Sequence, residues 1–395
     1  MPILKIPGFR FAGVACGIKK SKGKDLALIV SDRPATAAAL FTTNRVKAAP
    51  LIVGMRNIKK GRLQAVVVNS GNANACTGAR GMRDAEAMCR EAGKALRIAP
   101  QLVLPSSTGV IGVPLPIEKV RQGVRRAAAS LSPDGFMEAA EAMLTTDRFV
   151  KIASAHCLVD GKRVRVAGMV KGAGMIAPNM ATMLAYLLTD AAVELRCLCS
   201  MLRSAVNRSF NCVTVDGDMS TNDTVLLLAN GMAGNRQIRQ GSSDSRRLAK
   251  VVYEVMRKLA IKLVEDGEGA TKVVEIHVEG AASVAAAQRV AVSVARSQLV
   301  KTAFFGEDPN FGRILAAIGY AGVPLDPDKI DVSFNGIPVA KRGVGITANE
   351  KKAARTMRRP SFRVKIRLHQ GKRSASVWTS DLTHEYVRIN SAYRT

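Results

Sequence analysis

The chain has 395 residues, 47% hydrophobic and 23% charged, with 59 Lys and Arg against 31 Asp and Glu and a formal net charge of +28. That balance excludes a disordered chain and suits about two or three domains, and no apolar run reaches the roughly 18 residues of a membrane span, so a soluble cytoplasmic protein with no membrane partner is expected. The basic excess would suit a nucleic acid, but the basic residues are scattered, aromatics are only 4%, and no nucleic-acid module is recognisable; the charge reads as a solvated surface that can also steer anionic substrates, with no nucleic-acid partner.

The N-terminus, MPILKIPGFRFAG, has no sustained apolar segment and predicts no signal peptide. Leu26–Val30 and Leu63–Val68 read as core strands. Asp84–Leu96, Ile117–Ala128 and Phe136–Leu144 have helical spacing. Ile152–Val159 and Arg163–Val166 flank Asp160-Gly161, a hairpin turn signal. Met183–Leu188 is an apolar run of strand length. Glu194–Val206 and Asp244–Glu265 read as helices, Thr224–Leu228 and Thr271–Val278 as strands, and Ala281–Val294 is mixed. Phe362–Leu368 and Ser374–Trp378 predict a hairpin around Gln370-Gly371, which with Asp326–Ile337 suggests a smaller C-terminal domain. Helices alternating with multi-strand stretches predict an α+β protein of layered sheets covered by helices.

Seven cysteines include no CxxC pair and the four His residues lack ligand spacing, so no metal site is expected. Asp216-Gly217-Asp218 with Asp223 lacks the rest of a calcium loop and reads as turn and helix-capping chemistry that could shape the site.

The most informative stretch is Lys171–Asp190, KGAGMIAPNMATMLAYLLTD. A Gly-rich turn (Gly172, Gly174) leads through Pro178-Asn179-Met180-Ala181 to Thr182, and an apolar run follows at once. A hydroxyl residue at the mouth of a core strand, behind a pliable segment, is a place to cut a chain and expose an N-terminal threonine. Such a threonine carries nucleophile and base together, because Oγ attacks and the free α-amine takes the proton. Read alone, the same pattern also fits an ordinary strand entrance, where Thr satisfies backbone groups. It is not a phosphate loop, since Lys171 precedes the glycines.

Further stretches stand in order along the chain: Asn69–Gly78 (NSGNANACTG), Ser106–Gly112 (SSTGVIG), Thr145-Thr146-Asp147, Ser209–Asp218 (SFNCVTVDGD), Glu265–Lys272 (EDGEGATK), Gly306–Ile314 (GEDPNFGRI) and Arg388–Thr395 (RINSAYRT). Together with the Thr182 segment they resemble the ornithine acetyltransferase family, also called glutamate N-acetyltransferase, of arginine biosynthesis. The resemblance covers essentially the whole chain. Ala173, Met219 and Phe311 depart from its usual Ser, Thr and Trp.

The resemblance implies an αββα sandwich with the active site between the sheets, in a domain 1–280, and a smaller α+β domain 281–395. It implies autocatalytic cleavage between Ala181 and Thr182, giving an α chain 1–181 and a β chain 182–395 that assemble as α2β2 or a multiple. Thr182 would then be the nucleophile, with Thr108 and Gly109, expected in a turn, stabilising the oxyanion. Thr145, Lys171, Thr182, Glu268, Asn390 and Thr395 would bind substrate. The implied reaction moves acetyl from N2-acetyl-L-ornithine to L-glutamate without a cofactor. Acetyl-CoA as a second donor stays open, because the family contains both kinds of enzyme. An N-terminal-nucleophile hydrolase of related fold is the nearest alternative, and a basic nucleic-acid-binding protein a more distant one.

Overall fold

A computed structural model of the chain describes residues 5–177 and 183–392. In chain order its first part comprises β1 (Phe9–Val14), β2 (Leu26–Phe41), α1 (Ala49–Asn57), β3 (Arg62–Asn72), α2 (Gly78–Leu96), β4 (Val103–Val110), α3 (Ile117–Ala129) and α4 (Phe136–Ala142). Next come β5 (Lys151–Val159), β6 (Lys162–Lys171), β7 (Leu184–Thr189), α5 (Leu195–Asn207), β8 (Val213–Thr214), β9 (Thr224–Ala229) and α6 (Ser243–Glu265). The remainder is β10 (Val273–Ala281), α7 (Val284–Arg296), α8 (Gln298–Phe305), α9 (Phe311–Gly319), β11 (Asp331–Phe334), β12 (Ile337–Lys341), β13 (Val344–Gly345), α10 (Glu350–Met357), β14 (Ser361–Arg367), β15 (Arg373–Ser380) and α11 (His384–Ala392).

The first sheet runs β4-β3-β2-β9-β7-β6-β5, with β1 on β2. Its unusual member is β2. Its first half, Leu26–Val30, pairs with β1 and β3, whereas Thr36–Phe41 pairs with β9. Between them the register against β3 slips, from Val30↔Ala65 to Ala35↔Leu63. The slip falls on Ser31–Pro34, where a bulge bends the strand and proline withholds a ladder donor. The sheet therefore folds over on itself.

Three apolar layers show the result. Ala27, Ile29, Val66, Val68 and Leu104 of one half form a core with Leu184, Tyr186, Leu188, Leu226 and Leu228 of the other, so the halves face each other. The alternate residues Leu28, Val30, Ala65 and Val67 pack on α1, α2 and α3. Ala185, Leu187, Val225 and Leu227 pack on α5 and α6. The period of two along each strand sends successive side chains into different layers, which is how one chain builds an αββα sandwich. Strands β7 and β9 are buried on both faces, which explains their unbroken apolar sequences LAYLLT and TVLLLA.

The second sheet runs β13-β12-β11-β14-β10-β15-β8 and packs one face on α7, α8, α9 and α10. The strand at 273–281 is thus hydrogen-bonded to strands from beyond residue 280. The expected tail hairpin is not present: β10 lies between β14 and β15, parallel to the first and antiparallel to the second. Charge explains the choice. The polar face of β14 carries Arg363, Lys365 and Arg367, and β10 opposes Glu275 to Arg363 and Glu279 to Arg367. Two tail strands paired with each other would lack those partners.

Helix α2 begins six residues before Asp84, because Gly78 and Gly81 disguise its first turns. The mixed segment near 281–294 is helix α7, capped by Ser283, whose Oγ accepts from Ala286 N at 3.1 Å. Among the described residues no helix is long and apolar enough to cross a membrane.

Candidate active site

The site lies at the end of the sandwich where the two β layers part. Here β4 and β6 end and β7 and β9 begin. A cavity of about 120 Å³ opens there, lined among others by Thr108, Gly109, Thr145, Lys171, Glu268 and Asn390. These are six of the residues singled out from the sequence. Ala181, Thr182 and Thr395 lie outside the described residues. The chain on either side of Thr182 is nonetheless held: Leu184, the first residue of β7, pairs with Lys171 on one side and with Thr224 on the other.

Thr108 and Gly109 are the last turn of a strand, not a turn between segments as expected. They pair in parallel with Ser70 and Gly71 of β3, and the register slips at Gly71 and Asn72. Gly109 has φ +129°, and a Cβ there would stand 2.4 Å from the Gly71 carbonyl carbon and 2.5 Å from Asn72 N. Only glycine fits. The Asn-rich stretch braces this strand end. Ser107 Oγ donates to Asn69 Oδ1 at 2.6 Å, and Asn222 Nδ2 donates to Ala73 O and to Ser107 O, both at 2.8 Å. Gly109→Ala is expected to push β4 off β3 and displace the Gly109 N–H; if that N–H has the expected oxyanion role, turnover falls about 100-fold, the usual cost of losing one donor. Steady-state rates with a melting curve check this, and an Ala variant with unchanged turnover would remove Gly109 from the site.

Lys171 is 4% exposed. Its Nζ donates to Thr145 Oγ1 at 2.8 Å and to Thr108 Oγ1 at 3.2 Å. A Thr108 hydroxyl that accepts from an ammonium keeps its own hydrogen to donate into the cavity. Burial pushes the Lys171 pKa down, and the Asp147 carboxylate opposes that shift.

Asp147 is the hub behind the cavity, and its side chain is wholly buried. It accepts from Lys151 Nζ at 2.7 Å, from Gly172 N at 2.6 Å and from Thr145 N at 2.9 Å. Lys151 also pairs with buried Asp266, which accepts from Arg148 N. Burial works to raise the Asp147 pKa. The charges of Lys171 and Lys151 with the N–H donors overcome it and hold the carboxyl below the usual carboxylate range.

The cavity's acidic groups come from loops and the last helix. Glu268 Oε2 accepts from Asn390 Nδ2 at 2.9 Å. Asp216 accepts from Met175 N at 2.6 Å and Ile176 N at 2.8 Å, so it ties down the loop leading toward Thr182. Burial raises the Asp216 pKa. Tyr386 Oη donates to Asp216 Oδ2 at 3.4 Å. A cation and three carboxylates (Asp216, Asp218, Glu268) thus share one small cavity with several hydroxyls. That set suits a small zwitterion with a carboxylate to pair and an amine to hold.

Sequence reasoning assigned no site role to Tyr386, Thr221, Asn222 or Asp147. Tyr386 sits four residues before Asn390 on α11, a spacing that puts both on one helix face. Asp147 stands in the Thr145-Thr146-Asp147 stretch, which was the available signal for it; Asn222 meets Ala73 and Ser107 from distant segments, which no local pattern marks.

Comparison with known proteins follows the same lines. Residues 10–395 match the ArgJ family. The chain is 50% identical over 390 residues to the arginine biosynthesis bifunctional protein ArgJ of Symbiobacterium thermophilum, covering 98% of this chain and 97% of that one. It is 48% identical over 393 residues to the protein of that name from Geobacter sulfurreducens, covering 99% and 100%. A crystal structure of the arginine biosynthesis bifunctional protein ArgJ from Bacillus halodurans superposes with a TM-score of 0.51 at 37% identity, over 53% of this chain and 98% of that one.

Proposed function

The chain belongs to the ArgJ family, and from that premise we propose that it is a self-cleaving acetyltransferase that moves acetyl from N2-acetyl-L-ornithine to L-glutamate in arginine biosynthesis. The observation that carries this reading is the cavity shared by Lys171, Thr108, Gly109, Glu268 and Asn390 beside the start of β7. Thr182 directly precedes Met183 at that point in the chain. Cut between Ala181 and Thr182, it would hold a free α-amine with an ordinary pKa of about 7.7–8.0, a usable base near neutral pH.

In this scheme Thr182 Oγ attacks the acetyl carbonyl while the amine takes its proton. Thr108 Oγ and the Gly109 N–H stabilise the oxyanion, and ornithine leaves with the proton. Glutamate then attacks the acetyl-enzyme through its α-amine and restores Thr182. Lys171 pairs with the α-carboxylate of either substrate. Glu268 meets the ornithine ammonium, and for glutamate Asn390 and Thr395 supply donors to the side-chain carboxylate. Acetyl-CoA as a further donor would feed the same acetyl-enzyme. Chains 1–181 and 182–395 would remain associated, as α2β2 or a multiple.

Initial rates with both substrates varied test the scheme. Double displacement gives parallel reciprocal lines, and Glu268→Gln is expected to raise the KM for N-acetylornithine more than that for glutamate. Intersecting lines would sink the covalent scheme, and equal losses would reject the Glu268 pairing.

A further inference from the structure

We propose that Asp223 exchanges the proton required when the Ala181–Thr182 bond is cut, a role that rests on Thr182 being the self-cleaving nucleophile. Asp223 immediately precedes β9 and is 1% exposed. Its Oδ1 accepts from the backbone N–H of Met183 at 3.1 Å. Its Oδ2 makes no hydrogen bond of good geometry among the described residues, with the Thr42 and Ser220 hydroxyls beside the carboxyl and opposing the rise of its pKa. A buried carboxyl oxygen without a well-formed hydrogen bond is unusual and calls for a reason. The acetyl-transfer scheme supplies none, since it does not use Asp223.

Position supplies one. Met183 N is the atom to which the Thr182 carbonyl carbon is bonded. The Thr182 nitrogen is three covalent bonds back along the chain from it. The anchor is rigid, because Thr224 N also donates to Met183 O at 3.1 Å and β7 continues in register with β9. Asn222, the neighbour of Asp223, is tied to Ser107 O beside the Thr108–Gly109 strand end. Burial pushes the Asp223 carboxyl well above the ordinary carboxylate range, which favours the protonated form.

The step balances without another reactant. The bond from Thr182 Oγ to the Ala181 carbonyl carbon forms and the bond from that carbon to the Thr182 nitrogen breaks. The Asp223 carboxyl gives its proton to the departing nitrogen, and the carboxylate then receives the proton that Oγ sheds. The carboxyl ends as it began, and the product is an ester between residues 181 and 182 with a free amine. Water hydrolyses that ester to the Ala181 carboxyl and the Thr182 hydroxyl. The same carboxyl is then left beside the new amine.

A purely structural Asp223 would need an acceptor for Met183 N and for the neighbouring Thr42 and Ser220 hydroxyls, and asparagine keeps the first through its Oδ1. The test is therefore the intact mass of wild type, Thr182→Ala and Asp223→Asn, sampled over time after purification. A cut wild type with an uncut Thr182→Ala establishes the underlying reading; an uncut wild type or a cut Thr182→Ala overturns both. Given that reading, a folded Asp223→Asn is expected to cut at least about 100-fold more slowly, the usual contribution of a positioned acid or base. An Asp223→Asn chain that cuts at the wild-type rate overturns the proposal. Should that variant not fold, Asp223→Ala is followed with and without formate. Faster cutting with formate supports proton exchange, and a folded Ala variant indifferent to it overturns the proposal.

Discussion

Thr182→Ala is expected to purify as one uncut chain of 42.1 kDa and to show no acetyl transfer above background, a loss of about 10⁶-fold if Thr182 is the sole nucleophile. The reason is chemical and not steric. Alanine removes the oxygen that attacks in the cutting step and in the transfer step, so both fail together. Folding should be little affected, because the central strand that follows is held by its own pairing: β7 pairs along its length with β6 and β9, from Leu184↔Lys171 and Leu184↔Thr224 onward. Mass spectrometry and a coupled assay on one preparation suffice. A Thr182→Ala chain that is cut at the same bond, or that retains transfer, removes Thr182 from the mechanism.

The second large effect concerns stability. Asp147→Asn is expected to destabilise the protein by about 3–5 kcal/mol at neutral pH, the typical cost of removing one partner from a buried ion pair. Lys151 would keep Asp266, but Lys171 would face desolvation without its main counter-charge. The Asp147 carboxyl is held below its unfolded value, so its contribution is complete above the ordinary carboxylate pKa of about 3.9 and is lost as pH falls through the lower folded value. The gap between wild type and variant should therefore be constant from about pH 5 upward and narrow only in acid. Denaturant unfolding at neutral pH and in acid reads both. Equal stabilities at neutral pH would show that the cluster is electrostatically idle. The variant should also lose turnover, since Gly172 N, Thr145 N and the Lys171 charge all lean on this carboxylate.

Much of this was legible in the residues. The apolar runs at Met183–Leu188 and Thr224–Leu228 are central strands because only positions buried on both faces tolerate no polar residue. Helices α3, α5 and α6 follow from their apolar spacing. Lys171, Glu268 and Asn390 were singled out through their motifs and share one cavity.

Other features had no local signal. The Ser31–Pro34 bend lets β2 serve both halves of the folded sheet, whereas the strand read from the sequence covers only Leu26–Val30. The tail strands looked like a hairpin because a short Gly-containing link favours one, yet β10 takes the place between them.

By itself, then, the sequence determined which residues are buried, which faces are apolar and which segment carries the hydroxyl and its Gly-rich approach, because periodicity and residue type act over a few neighbours. Only the tertiary structure decided which strand pairs with which, that Asp147 meets Lys171, Gly172 N and the Lys151–Asp266 pair, and that Asp223 meets Met183. Those outcomes depend on charge complementarity and desolvation between groups far apart in the chain, such as Lys151 and Asp266 or Asn222 and Ser107, and a pattern read along one segment contains no term for either.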